Sequence, residues 1–165
     1  MYGYYPSIEI NQQYIKLRPI LKWKTKIIQL KRLSKGAKIS YGGIYQTIND
    51  TLIATIPVGY ADGFRRLLTY SGINLSKPWH VLIRGQYAPI IGRICMDMCM
   101  VDVTHIKDVQ ENDEVILLDN SIITCDKMAD QLQTISYEII SGIGKRVPRV
   151  YLQNNKIKNI VSLHK

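Results

Sequence analysis

The sequence predicts a mainly β domain, a barrel or a sandwich, with one short helix. Short apolar segments recur at roughly the 8–12-residue rhythm of an all-β chain. Turn-forming clusters separate several of them: SKG at 34–36, ND at 49–50, GYADG at 59–63, RGQ at 84–86 and ENDE at 111–114. A helical pattern is confined to 125–133. With 165 residues, 46% hydrophobic and 21% charged, the chain has the composition of one folded domain and not of a disordered segment.

In chain order, YGYYPS opens with a Gly and a Pro and reads as turn or linker. A strand follows at 20–30, where Leu21, Trp23, Thr25 and Ile27 alternate with Lys22, Lys24 and Lys26. That period of two gives one buried and one solvated face. Further strands are expected at 37–41, 51–58, 80–84, 89–94, 99–103, 114–118 and 147–152. Residues 65–79, punctuated by Gly and Pro, read as a long surface loop. In the helix, Thr124 or Asp126 suits the positive N-terminal end, and Met128, Ala129 and Leu132 share one side.

The net charge of +9 is uneven: residues 16–38 hold nine Lys or Arg and no acid, and the remainder balances thirteen bases against thirteen acids. Such a patch raises the alternative of a stand-alone basic β-barrel that binds nucleic acid or protein. Against nucleic acid, Trp23 falls on the apolar side of its strand, so the bases are not interleaved with exposed aromatics. Cys95, Cys99 and Cys125 are too few and unevenly placed for a disulfide framework, and no His pair or CxxC suggests a metal. They read as buried reduced thiols. No apolar run reaches the ~20 residues of a membrane span. The N-terminus lacks a signal-peptide layout, so the expected location is cytoplasmic.

Several residues could carry chemistry. Tyr41 precedes Gly42 and Gly43, where a strand ends and backbone can approach a ligand; a rim tyrosine before a turn is the plainer reading. Asp62-Gly63 reads as a turn. Ile94, Cys95 and Met96 read as a buried strand with Asp97 at its edge, and Tyr137 as a strand-end aromatic. Arg146 and Arg149 read as fold-stabilising partners of acids. His80, His105 and His164 stand in no motif and read as surface or loop residues.

Five blocks occur in fixed order: SYGGIYQT at 40–47, VGYADGFRR at 58–66, IIGRICMDM at 90–98, TISYE at 134–138 and RVPRVY at 146–151. Together they resemble the C-terminal domain of alanine racemase, a pyridoxal 5'-phosphate enzyme family of isomerases that interconvert L- and D-alanine and supply D-alanine for peptidoglycan. The resemblance implies a small closed Greek-key β-barrel at 16–165, with 1–15 as the connector from an N-terminal barrel domain. It covers about the last two-fifths of a complete racemase, the cofactor lysine belonging to the missing part. It also implies a homodimer in which this domain completes the partner's site, so that the chain alone is inactive.

Residue by residue, the resemblance makes Tyr41 of YGGIY the catalytic base for L-alanine, the small amino-acid substrate, with a lysine on the opposite face. Two bases are needed because a proton leaves one face of a planar carbon and returns to the other. Tyr60 would lie beside the substrate, and the Met96 backbone N–H would receive its carboxylate. Tyr137 would contact the cofactor phosphate. Arg66, Arg93, Ile135 and Asp97 would line the entrance, with Arg65 able to take the place of Arg66. A serine racemase shares these motifs; a basic-amino-acid decarboxylase does not match MDMC.

Overall fold

One bent strand closes the architecture. The computed structural model describes residues 2–5, 14–70 and 77–163. The strand expected at 20–30 is in fact two, β1 (Trp23–Lys26) and β2 (Gln29–Leu33). At the bend the backbone changes partners: Ile27 bonds Asp113 and Asn112, and the Ile28 N–H donates to the Thr55 carbonyl. Accordingly β1 pairs with β9 (Glu114–Leu118) and β2 with β5 (Thr51–Ile56).

With β6 (His80–Ile83), β7 (Gln86–Ile91) and β8 (Cys99–Asp102), these form a seven-stranded sheet in the order β1-β9-β6-β7-β8-β5-β2. All its pairs are antiparallel. The outermost strands are consecutive in the chain, so the sheet curls back on itself as a Greek-key barrel. Alternate residues fill the interior: Ala54 and Ile56, Val81 and Ile83, Ala88 and Ile90, Cys99 and Val101, Val115 and Leu117 are all buried. Each fully buried aliphatic side chain among them contributes on the order of 1.5–3 kcal/mol. Trp23 and Ile27 join this core and Lys22, Lys24 and Lys26 stay exposed, as the alternation requires. The turn between β6 and β7 has Arg84 and Gly85 both at positive φ (51° and 75°), the backbone of a tight two-residue hairpin.

A short hairpin, β3 (Lys38–Ile39) and β4 (Tyr45–Gln46), stands in place of the expected 37–41 strand. A second, smaller apolar cluster of Ile39, Ile53 and Ile91, backed by Leu33, Tyr45 and Met100, pins it to the barrel. The expected 147–152 strand does not join the barrel. It is β10 (Arg149–Gln153), which among the described residues pairs only with β11 (Lys156–Val161).

Helix α1 (Cys125–Leu132) is capped by Thr124, whose hydroxyl oxygen accepts from the Lys127 N–H at 3.3 Å. A second helix, α2 (Ser136–Ser141), occupies TISYE and places Tyr137 on a helix instead of a strand end. Six residues are too few to display a helical period, and Ile135 offers no side-chain cap. Tertiary contacts hold it: Ile139 and Ile140 are buried, and Gly63 packs against its C-terminal end. The central part of the expected 65–79 loop, 71–76, lies outside the described residues, as do 6–13 of the expected connector and His164. Among the described residues no helix is long and apolar enough to cross a membrane.

The turn leading to α1 is organised by the buried Asp119. Its Oδ1 accepts from the N–H groups of Ser121, Ile122 and Ile123 at 3.1, 2.7 and 2.7 Å. Burial works to raise its pKa, but these donors and the Ser121 hydroxyl outweigh burial and hold the carboxyl below the usual aspartate range. Because the folded pKa is depressed, the stabilisation is complete above the unfolded value of about 3.9 and is lost as pH falls through the folded value. Asp119→Ala is expected to lower stability by about 1.5–3 kcal/mol at neutral pH and to flatten its decline in acid. Urea unfolding of both proteins over a pH series measures this; identical acid slopes would contradict it.

Gly63 has φ 97°, and a Cβ placed there would lie 2.1 Å from the Gly142 carbonyl oxygen. Gly63→Ala should therefore cost about 2–4 kcal/mol, read as a fall in melting temperature. A shift within about 1 °C would show that the turn and α2 are not locked together.

Candidate functional site

The turn at 92–97, between β7 and β8, is the hub of the site. The sequence reads ICM as strand, but the Cys95 N–H donates to the Met98 carbonyl at 2.9 Å and the chain doubles back. Ile94 stays buried and Met96 is 53% exposed. Cys95 is half-buried, and Cys99 and Cys125 are buried; all three are free, in keeping with reduced thiols. Burial raises both buried thiols, Cys125 to about 11.

On one side of this hub lies the turn bearing Tyr41. Ser40, at φ 66°, donates its hydroxyl to the Arg93 carbonyl at 2.7 Å and lies 3.6 Å from the Cys95 thiol. Tyr41–Gly43 form a single 3-10 turn, and the Arg93 guanidinium lies beside Gly42. Tyr41 is 73% exposed, so its phenol faces outward from the domain. Tyr45 is turned back instead, against the ring of Tyr70 at 6.4 Å.

On the other side is the GYADG turn. Tyr60 and Ala61 donate their N–H groups to the Cys95 and Met96 carbonyls, both at 3.0 Å. Asp62 caps the turn, accepting from the Gly59 N–H at 2.9 Å. Phe64, the chain's only phenylalanine, anchors it in the core edge-on to Trp23 at 5.8 Å. Tyr60 itself is 41% exposed. The Met96 N–H meets no acceptor among the described residues, whereas the Met96 carbonyl is used.

Arg66 and Arg93 line one cleft of about 480 Å³ together with Leu67, Thr69, Gln131, Leu132 and Gln133. Arg65 does not: its guanidinium reaches α2, donating to the Glu138 carbonyl at 2.7 Å and pairing with the Glu138 carboxylate at 3.1 Å. Ile135 is exposed at the start of α2. The Tyr137 hydroxyl donates to the Tyr4 carbonyl at 3.1 Å, facing the N-terminal segment. Thus Tyr41, Tyr60, Met96, Asp97 and Arg93 gather on or around one turn, Arg66 shares a cleft with Arg93, and Tyr137 and Ile135 stand apart on the first turn of α2.

Sequence reasoning passed over Arg146 as a mere partner of acids. It does pair with acids, Asp62 at 2.7 Å and Asp97 at 2.5 Å, but these belong to two different site turns. No local pattern marks it, because its acids lie 84 and 49 residues away. Arg149, by contrast, partners backbone carbonyls of Ile143, Gly144 and Val147 instead of acids. His80 is part of β6, not a loop, and is half-buried edge-on to Tyr87. Among the described residues no group of three His, Cys, Asp or Glu is placed to hold a metal. Two guanidinium groups on one cleft, and a main-chain N–H with no acceptor among the described residues, fit an anionic ligand.

Residues 20–151 match the family described as alanine racemase, C-terminal domain. Alanine racemase 1 of Clostridium acetobutylicum is 44% identical over 163 residues, which is 97% of this chain and 40% of that protein. Alanine racemase of Clostridium perfringens is 48% identical over 162 residues, or 96% of this chain and 40% of that protein. Alanine racemase of Clostridium difficile 630 in complex with cycloserine superposes with a TM-score of 0.88 at 42% identity, over 98% of this chain and 41% of that one. The Bacillus anthracis enzyme with bound L-Ala-P gives 0.84 at 34% identity, over 98% of this chain and 40% of that one. The chain thus spans about two-fifths of the length of these relatives. Fold and sequence agree over nearly all of its residues, and the chain belongs to the alanine racemase C-terminal domain family.

Proposed function

We propose that this chain is the part of an alanine racemase that supplies one of its two proton-handling groups. The observation that carries the reading is the common anchoring of three groups. Tyr41, exposed and outward-facing, is tied to the 92–97 turn that also bears the Met96 N–H and holds Tyr60 in place. On this reading Tyr41 takes the α-proton of L-alanine at its phenolic oxygen. A lysine on the far side of the α-carbon, in the portion of the relatives that this chain does not match, returns a proton to the opposite face. Net exchange of the two protons inverts the centre without any other bond being made.

The Met96 N–H, free of acceptors among the described residues, would take the substrate carboxylate. Tyr60 would flank the substrate, and Arg66, Arg93, Ile135 and Asp97 the approach to it. Pyridoxal phosphate, when bound, would delocalise the negative charge left at the α-carbon. Tyr137 would hold its phosphate by exchanging the Tyr4 carbonyl for a phosphate oxygen. Residues 1–15 serve as the connector from an N-terminal barrel domain and 16–165 as the β-domain. The docking of the described part of that connector supports this: Tyr4 is buried, and the Tyr5 hydroxyl oxygen accepts from the Leu17 N–H at 2.9 Å. The partner is that barrel domain, acting across a homodimer; the exposure of Tyr41 supports its meeting a surface outside its own β-domain.

In the full-length enzyme, Tyr41→Ala should slow deuterium exchange at the α-carbon of L-alanine by about 10²–10⁴-fold, with a smaller loss for D-alanine. Equal losses for the two enantiomers would overturn Tyr41 as the L-alanine base. The purified 165-residue chain should leave the absorbance of added pyridoxal phosphate unchanged and show no racemisation of alanine by polarimetry. Turnover by the chain alone would mean that the second base lies within it.

A further inference from the structure

We propose that Arg146 is a positioning residue that sets the spacing between the Tyr60 and Met96 turns, and with it the fit of the substrate. Its guanidinium spans the two: Nε donates to Asp62 Oδ1 at 2.7 Å and Nη2 to Asp97 Oδ1 at 2.5 Å. The two acids differ in what they do next. Asp62 is well covered, with a side chain 13% exposed, and its second oxygen already holds the Gly59 N–H at 2.9 Å. Asp97 is 54% exposed, and Arg146 is the only cation paired with it among the described residues. The guanidinium therefore fastens an otherwise loose residue, adjacent to Met96, onto a turn already locked by its own cap.

Arginine suits this task and lysine does not. A planar fork reaches two carboxylates at once in a fixed geometry, whereas an ammonium is a single point charge. The segment that carries Arg146 is itself tied to the same turn, because the Gly144 N–H donates to the Asp62 carbonyl at 2.7 Å. Without the guanidinium, two backbone hydrogen bonds, from Tyr60 and Ala61 to the Cys95 and Met96 carbonyls, would remain between the turns. The fold would persist, but those two bonds would hold the approach by themselves, and the spacing of the turns would relax from the Asp97 side, next to Met96. Displacements of this kind are costly because substrate contacts tolerate little error in position.

This inference rests on the reading above, in which Met96 and Tyr60 meet the substrate, and the test separates the two. In the full-length enzyme, Arg146→Gln is expected to raise KM for both alanine enantiomers at least about tenfold. The inhibition constant of propionate, a carboxylate with no amino group, should rise in parallel, with kcat reduced less and bound-cofactor absorbance retained. Asp97→Asn should give the same signature more weakly, and Arg146→Lys should restore only part of the loss. A fall in kcat and melting temperature with KM and propionate inhibition unchanged would assign Arg146 a structural role and overturn the proposal. If that result came with the Tyr41→Ala asymmetry intact, the positioning role alone would fail. If Tyr41→Ala showed no asymmetry, the reading of the site would fail, and this inference with it.

Discussion

The site depends on two backbone carbonyls, those of Cys95 and Met96, and on the absence of a side chain at Gly59. A Cβ at Gly59 would lie 2.3 Å from both carbonyl oxygens, well inside van der Waals contact. Only glycine lets the Tyr60 turn come near enough for its N–H groups to reach those oxygens. Once they do, the Cys95–Met96 peptide is oriented: its carbonyl accepts from the Tyr60 N–H, and in a trans peptide the Met96 N–H then points the opposite way. A main-chain donor positioned this way needs no particular side chain, so the proposed contact rests on a backbone approach and not on the identity of residue 96.

The barrel provides the rigidity that this approach needs. β7 and β8 are central strands, bonded on both sides, so the 92–97 turn between them springs from fixed ends. The Tyr41 turn is mounted differently. Its hairpin is too short to be stable by itself, and the Ile39, Ile53 and Ile91 cluster presses it onto the outer face of the sheet. Ser40 then joins it to Arg93 by one side-chain hydrogen bond. Tyr41 is thus held firmly at its backbone and left free at its ring, an arrangement suited to meeting a surface supplied from outside the domain.

Much of this was legible in the chain because it is written in local patterns. The alternation around Trp23, the turn at RGQ and a helix start at Thr124 or Asp126 each depend on neighbours in sequence; the structure bears out the first two and makes Thr124 the cap. The misreadings share one cause. The bend at Ile27 and Ile28 reflects two different partner strands; the ICM segment turns because Cys95 bonds Met98 while the GYADG turn takes its carbonyls; α2 exists through packing on distant residues. β10 looks like a barrel strand in composition, yet among the described residues it pairs only with β11. None of these choices leaves a trace in a window of a few residues.

For the candidate site the division is similar. Tyr41, Tyr60, Met96 and Tyr137 were singled out from five motifs in fixed order, with Arg66 preferred to Arg65; what the coordinates add is that Arg65 is engaged by Glu138. The bridging role of Arg146 was likewise invisible, since its acids lie 84 and 49 residues away. By itself the sequence determined the strand-rich architecture, the face each strand buries and the residues able to do chemistry, since these follow from side-chain type and local period. The tertiary structure alone decided which turns meet, which donors stay unpaired and which charges are shared, because long-range contacts are settled only when distant backbone segments compete for the same partners.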